Sequence, residues 1–403
     1  MTAPAAYSID ERTLVGTERP ATPQALADLL AGLAADGRAA VPVGGGTQLA
    51  LGNALAADAV AVSTAAFDAI HVFEPDDLTL SVGAGMTLAT LQALLGERGQ
   101  WLPIEAPHPD RATIGGLIAT GWSDPRRLGH DTIRDLLIGV GSAHPSGTVT
   151  KAGGLVVKNV SGFDMMRIYH GALGTLGVIV SANFKTLPRP RAERTLLSTF
   201  PALADALAAA RRVLDSRIRP SAVEVTGAGE AWTLAVRLDG RPGAVTLMAT
   251  EATAAIAAPV ETRDDADSRA WWQQFLDDRA GDSPSAATLR ATTRPRALPD
   301  LAATLARAAG DVGAAVDRWT IAPGLGTVRA EVAEATGSAG FQTLRSAAIA
   351  AAEATTIIAA PAAWKQGIDV WGATPATIDI SRALKEQFDP QRVLNPGRFA
   401  GFI

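Results

Sequence analysis

Glycines at 171, 174 and 177 stand directly before the β-branched run Val178-Ile179-Val180, inside the segment from Gly153 to Pro188. A backbone without Cβ atoms can lie flat against a ligand or adopt left-handed turns, so this spacing constrains the fold more than any other stretch. Glycine spaced by three is also what one small face of a packed helix looks like. Two further clusters, Gly44-Gly45-Gly46-Thr47 and Thr113-Ile114-Gly115-Gly116, lie upstream beside β-type runs. Three such clusters in the first half of the chain point to one extended ligand cradled by backbone.

With 403 residues, 47% of them hydrophobic, the chain is long enough for two domains, or one domain with a large insertion. The net charge is -5 and no basic run is interleaved with aromatics, so nucleic acid is not an expected partner. There is no cysteine, which excludes disulfides, thiolate zinc sites, cysteine-ligated iron-sulfur clusters and a cysteine nucleophile. An iron-sulfur relay would have to sit on another chain, and no metal site is read from the sequence. Asp10 and Glu11 stand where a signal peptide would be basic and then apolar. The bland stretch from Ala347 to Trp364 carries Glu353 and is mostly alanine, too weakly apolar to span a bilayer. A cytoplasmic location is expected, peripheral to the inner membrane if partner subunits attach it there.

Thr22-Pro23-Gln24 followed by ALADLLAGLAADG predicts a capped amphipathic helix. Strands are expected over Ala39 to Val43, Ala59 to Ser63 and Leu78 to Val82, with a helix over Thr87 to Gly96, a helix starting at Leu117, and a hairpin pairing Asp135 to Val140 with Thr148 to Lys151. Pro188-Arg189-Pro190-Arg191 marks a domain boundary. Beyond it the order strand, helix, strand, strand, helix runs once from Thr195 and again from Ala286, which predicts an antiparallel sheet with helices on one face. Residues 375–403 are expected to form a helix over Ile378 to Phe388 and two rigid turns in DPQRVLNPG, packing back on the first domain. The expected domains are therefore 1–190, 191–374 and a returning segment 375–403.

The loop VPVGGGTQL follows a strand, and its consecutive amides can converge on a pyrophosphate, with Thr47 adding a hydroxyl. It matches neither a Walker loop nor the G-x-G-x-x-G fingerprint. The stretch from Pro107 to Thr120 opens a helix, whose amino end attracts anions. His108, between two prolines, could stack on a cofactor or simply lie at the surface. Of Trp271 and Trp272, on a charged helical stretch, one is expected in the core and the other partly exposed.

PVGGGT, ATIGGLIATGWSDPRR, GGLVVKNVSGFDMMR, GALGTLGVIVSANFKTLP and FDPQRVLNPGRF, in that order, resemble the motifs of the vanillyl-alcohol-oxidase (PCMH) type of FAD-binding proteins. Within that superfamily Gly121 to Pro188 is most similar to the FAD-binding E subunits of bacterial glycolate oxidase complexes. The resemblance covers residues 20–190 and the last 20 or so, and implies an α+β protein: a two-part FAD-binding domain followed by an antiparallel-sheet, ferredoxin-like cap. It implies that Val43, Gly44, Gly45, Gly46 and Thr47 hold the FAD pyrophosphate, that Pro107, Thr113, Gly115, Gly116, Ala119 and Thr120 line the other side of the dinucleotide, and that Gly171, Gly174, Gly177, Val178 and Ile179 close on its adenine half. Lys158, Asn159 and Asp164 would order the cofactor domain. The family's V-A-G-Y-D appears here as Val160-Ser161-Gly162-Phe163-Asp164, so a tyrosine hydroxyl is lost and Phe163 is left to pack. Flavin should be held non-covalently, since there is no cysteine and the loop carries threonine where covalent relatives place histidine.

Oxidising a 2-hydroxy acid needs a cation for the carboxylate and a base for the hydroxyl proton. Catalytic subunits of related dehydrogenases carry a histidine cluster in the second domain. The five histidines here are 71, 108, 130, 144 and 170, all before it. Arg126, Arg127 and Arg398 are the candidate cations, with Arg126 and Arg398 the candidate catalytic residues. Three readings stay open: an FAD-binding subunit of a glycolate-oxidising complex with a catalytic flavoprotein and an iron-sulfur subunit as partners, a self-sufficient FAD-dependent 2-hydroxy-acid dehydrogenase, or a non-catalytic FAD-binding scaffold.

Overall fold

The computed structural model describes residues 6–155, 163–229, 231–280 and 286–403. Chain contacts divide it into two compact units, one of residues 1–123, 131–189 and 365–403, the other of 124–130 and 190–364. Residues 124–130 thus belong to the second unit and 365–374 to the first, whereas the sequence pattern places them the other way round. Lys158 and Asn159 lie outside the described residues.

Besides two two-stranded pairs, the first unit holds a three-stranded and a five-stranded sheet. Strands β1 (Thr17–Glu18), β2 (Ala39–Val43) and β3 (Ala59–Ser63) run parallel in the order β1-β3-β2. Helix α1 (Pro23–Ala35) connects the first two; Thr22 accepts the Ala25 amide as its cap, and Leu26, Leu30 and Leu33 are buried. The second sheet is antiparallel, with β4 (Ile70–Glu74), β5 (Thr79–Gly83), β6 (Leu137–Ala143), β7 (Val149–Gly153) and β8 (Val178–Lys185) in the order β7-β6-β8-β5-β4. Helices α2 (Leu88–Gly96) and α3 (Ile114–Thr120) pack with it around Leu80, Val82, Leu91, Leu117, Ile118 and Phe184. The helix expected to start at Leu117 instead starts at Ile114 and runs to Thr120, where Gly121 adopts φ 63° and closes it.

The last segment is tied into this unit by a buried charge. The Lys385 ammonium donates to the Asp389 carboxylate at 2.7 Å and to the carbonyls of Thr175 and Leu394 at 2.9 and 2.8 Å. Asp389 in turn accepts the amides of Val393 and Leu394 at 3.0 and 2.8 Å. Both turns of DPQRVLNPG are thereby fixed, and residues 393–395 run alongside β2, where the Ala40 amide donates to the Val393 carbonyl and the Asn395 amide to that of Ala40. Burial pulls the Lys385 pKa down, and Asp389 works against that pull.

The second unit is one eight-stranded antiparallel sheet built from two similar halves. In the first, β9 (Ala192–Phe200), α4 (Leu203–Asp215), β10 (Ala222–Gly227), β11 (Trp232–Gly240), α5 (Pro242–Ile256) and β12 (Glu261–Asp264) follow one another. After the linking helix α6 (Asp265–Asp277), β13 (Ala287–Thr292), α7 (Leu298–Asp311), β14 (Val316–Ala322), β15 (Thr327–Val332), α8 (Gly337–Ala351) and β16 (Ala354–Ala359) repeat the pattern. The spatial order β12-β9-β11-β10-β14-β15-β13-β16 makes each half a split β-α-β arrangement, joined where β10 pairs with β14. Strand alternation gives the sheet an apolar face bearing Val223, Val225, Leu289, Ile321, Val328 and Ala330, all buried, with α4, α5, α7 and α8 packed on the sheet. The opposite face is polar. Helix α6, the charged helical stretch that carries Trp271 and Trp272, lies over β9 through Ser268 and Trp272, whose side chains bond to Thr195.

Two stability changes follow. Lys385→Met should strand the Asp389 carboxylate in the interior and cost about 3–5 kcal/mol, seen as a lowered denaturation midpoint. Glu224, buried on the polar face of β10, has its pKa raised from 4.5 to about 7, burial being the main cause, with Arg279 opposing and Asp124 adding to it. The unfolded chain then ionises first as pH rises, so the folded state loses stability between about pH 4.5 and 7. Glu224→Gln should match the parent at pH 4 and exceed it by about 3 kcal/mol at pH 8, measured by denaturant unfolding at both values.

Candidate functional site

Three of the sequence-flagged clusters meet in one groove of the first unit. Its walls are the loop leaving β2 (Val43, Gly44, Gly45, Gly46, Thr47, Gln48, Leu49), helix α3 with its cap (Thr113, Gly116, Ala119, Thr120), the turn Leu173-Gly174, and Asn395 and Arg398 from the last segment. The loop sits so close to the preceding chain that a Cβ on Gly45 would run into the Arg111 carbonyl, and one on Gly44 into the Thr113 hydroxyl. Gly46 has φ 73°, a left-handed conformation that a β-branched residue resists. The amides of residues 44–48 make no hydrogen bond within the described residues, so a row of donors is left facing the groove.

Helix α3 does not contribute as its sequence suggests. Its first amides are consumed internally: Ile114 donates to the Met86 carbonyl, Gly115 to that of Ala84, and Gly116 to the Thr113 hydroxyl. No donors are left at this helix end for an anion, and Gly115 is glycine because a Cβ would lie 2.8 Å from that of Ala84. At its other end, the Ile118 and Ala119 carbonyls accept the amides of Gly171 and Leu173. That fixes the Gly171–Gly174 turn, in which both glycines have positive φ.

Pro107, Gly115, Gly171, Gly177, Val178 and Ile179 do not line this groove. Gly177 makes room for the His144 ring, 2.8 Å from where a Cβ would stand, and Val178 and Ile179 are core residues of β8. His144 is buried in a network with Ser142 at 3.0 Å and Thr150 at 2.9 Å, and Tyr169 bonds to Ser142. Burial lowers the pKa of His144, partly countered by its bond to the Leu176 carbonyl. Phe163 is 87% exposed and does not pack, while Asp164 pairs with Arg167 at 3.4 Å.

Neither candidate catalytic arginine is free to meet a substrate. Arg126, in the second unit, is 1% exposed and donates to Asp239 and to Glu193, both at 2.6 Å. Glu193 also pairs with Arg237 at 2.8 Å, and His130 reaches Asp239 at 3.1 Å. Burial works to raise the Asp239 pKa, but His130 and Arg126 outweigh it and bring it to about 2. Arg398 donates to the carbonyls of Leu49 and Leu51, each at 2.6 Å, and braces the glycine loop from behind. Trp272 is fully buried and Trp271 partly so, as the pattern predicts.

Two buried atoms on the groove wall have no partner among the described residues: Asn395 Oδ1, whose amide nitrogen donates to the Leu173 carbonyl at 2.6 Å, and Arg398 Nε. Unused acceptors and donors beside a row of open amides fit a phosphate-bearing dinucleotide. Asn395 carried no role in the sequence reading; its place in the rigid turn Asn395-Pro396-Gly397 was its one signal.

The two units, taken separately, match the two parts of a class of flavin-dependent oxidoreductases. A family model described as FAD binding domain matches residues 16–153, and one described as FAD linked oxidases, C-terminal domain, matches residues 189–317 and 371–399. The chain belongs to this FAD-linked oxidase family, of PCMH type, and FAD is its cofactor. It is 39% identical to the glycolate oxidase subunit GlcE of Escherichia coli over 125 residues, 31% of this chain and 36% of that protein. With a D-lactate dehydrogenase of Archaeoglobus fulgidus it shares 32% over 166 residues, 41% of this chain and 37% of the relative. The matched stretch thus spans little more than a third of either relative. A solved alkyldihydroxyacetonephosphate synthase has the same fold, with a TM-score of 0.71 over 95% of this chain and 77% of the other at 16% identity. Among the described residues no helix is long and apolar enough to cross a membrane.

Gly46→Val should abolish FAD retention, since it forces the loop out of its left-handed turn and turns its amides away. The check is the flavin released on denaturation, with unit folding followed by circular dichroism; flavin content equal to the parent's would overturn the loop's role.

Proposed function

We propose that this chain is the FAD-binding subunit of a complex that oxidises glycolate, or a close 2-hydroxy acid, to the 2-oxo acid. The observation that carries the reading is the open-amide groove, closed by Asn395 and Arg398, in a chain whose sequence is similar to a glycolate oxidase subunit. Gly44, Gly45, Gly46 and Thr47 would hold the pyrophosphate, Thr113, Gly116, Ala119 and Thr120 would line the dinucleotide, and Gly174 would close on it, without a covalent link. FAD, when bound, supplies the acceptor for the two electrons and two protons that leave the alcohol carbon and its hydroxyl.

The histidines favour a subunit over a self-sufficient enzyme. His144 is locked in its hydroxyl network and His130 is held by Asp239. No histidine falls in the sheet of the second unit, where a hydroxyl proton would need a base. A catalytic flavoprotein and an iron-sulfur subunit would complete the complex, in the cytoplasm and attached to the inner membrane through those partners.

The purified chain should be yellow, keep its visible spectrum when glycolate is added under anaerobic conditions, and be bleached once the catalytic flavoprotein is also present. Bleaching by glycolate alone would replace this reading with a self-sufficient dehydrogenase. A colourless protein that takes up no FAD would leave a scaffold.

A further inference from the structure

Behind the glycine loop, four consecutive carbonyls are held by two buried cations. Arg398 takes those of Leu49 and Leu51, and the Lys365 ammonium donates to those of Ala50 and Gly52 at 2.8 and 3.4 Å. Lys365 also donates to the Asp10 carboxylate at 2.6 Å, and its side chain is fully buried. Asp10 sits in the turn of a hairpin that pairs Ser8–Ile9 with Arg12–Thr13, where it and Glu11 have φ 49° and 69°. Tyr7, at the entry to that hairpin, lies against the loop, its ring 3.5 Å from where a Cβ on Gly46 would stand.

The charges of this cluster do not cancel. Among the described residues Asp10 is the one carboxylate within ion-pair distance of either cation, so one positive charge is left in excess. The Lys365 ammonium has a carboxylate and two carbonyls to accept its three protons, which holds it in the charged form. Burial lowers the pKa of both cations, that of Arg398 to about 10, and Asp10 opposes the shift at each. Asp10 Oδ2 and Arg398 Nε are buried without partners among the described residues, so no further group there offsets the excess. Away from water, such a charge is felt over a longer range than one at the surface.

We propose that Lys365 is a positioning residue for FAD: it anchors the carbonyl side of the glycine loop and supplies the excess positive charge that draws the pyrophosphate onto the loop's open amides. Lys365 is not part of the groove wall, so it acts through the loop and through its field. Asp10 has the opposite effect, since its carboxylate cancels one of the two cations, and the amino-terminal hairpin thereby limits how tightly the cofactor is held. The inference rests on the assignment of Gly44, Gly45, Gly46 and Thr47 to the pyrophosphate and adds to it two residues that stand behind the loop.

The test is the dissociation constant for FAD, read from flavin fluorescence as FAD is returned to the deflavinated full-length chain. Asp10→Asn keeps an acceptor for Lys365 and a residue type that tolerates the left-handed turn, and removes only the negative charge. It should bind FAD about threefold more tightly than the parent, whereas Lys365→Met should bind it about tenfold more weakly and Lys365→Arg should recover most of that loss. Circular dichroism of the flavin-free samples checks that each variant is folded. An ion pair that served structure alone would suffer from either substitution, so weaker or unchanged FAD binding by Asp10→Asn overturns the proposal, and decides it even where Lys365→Met does not fold. Parent-like binding by a folded Lys365→Met overturns it as well. Flavin retained by Gly46→Val would instead overturn the loop's assignment, so the two readings fail separately.

Discussion

The first unit is organised by a steric exclusion: two backbones meet where no side chain fits. With Gly44 and Gly45 pressed on residues 111–113, the loop leaving β2 cannot fold back on its own amides, and they stay open to the groove. The same contact holds the cap of α3 in place, so that its carbonyl end meets the Gly171–Gly174 turn. From behind, Arg398 grips the carbonyls of Leu49 and Leu51, and the Lys385–Asp389 pair fixes the turn that carries Arg398. Cofactor cradle and C-terminal knot are therefore one mechanical assembly, although some 350 residues of sequence separate their ends.

The second unit solves a different problem. Its polar face must bury arginines, and it does so in two ways. Around Arg126 and Arg237, carboxylates from Glu193 and Asp239 complete a closed network under α6. Farther along the sheet, Arg329 donates to the Arg279 carbonyl just past that helix and shares the Glu331 carboxylate with Arg318.

What the sequence made legible follows from what is local. Strands and most helices were readable because alternation and capping are written within a few residues, as at Thr22 and Thr87. The glycine clusters were readable because missing side chains announce close approach. Partners were not. Nothing near Gly115 tells that its amide is spent on Ala84, and nothing near Arg126 tells that Asp239 waits 113 residues away. Helix α6 was legible as a charged helical stretch, but its anchorage was not, since nothing near Trp272 tells that its indole bonds to Thr195, 77 residues away. That Arg290 stands opposite Arg329 depends on strand register, which only the assembled sheet fixes.

The seam between the halves of the second unit has a consequence for synthesis. Strands β10 and β14 share three residue pairs, from Val225 with Ile321 to Gly227 with Trp319, whereas β9 and β11 share nine. Each half closes its own ladder with short connections, so the first can be complete at Asp264 before any of the second has left the ribosome. Of the two edges of that half, β12 and β10, it is β10 on which the second half aligns. The eight strands are thus wired as two ladders of four joined by a short seam, a topology in which most pairings are local in sequence.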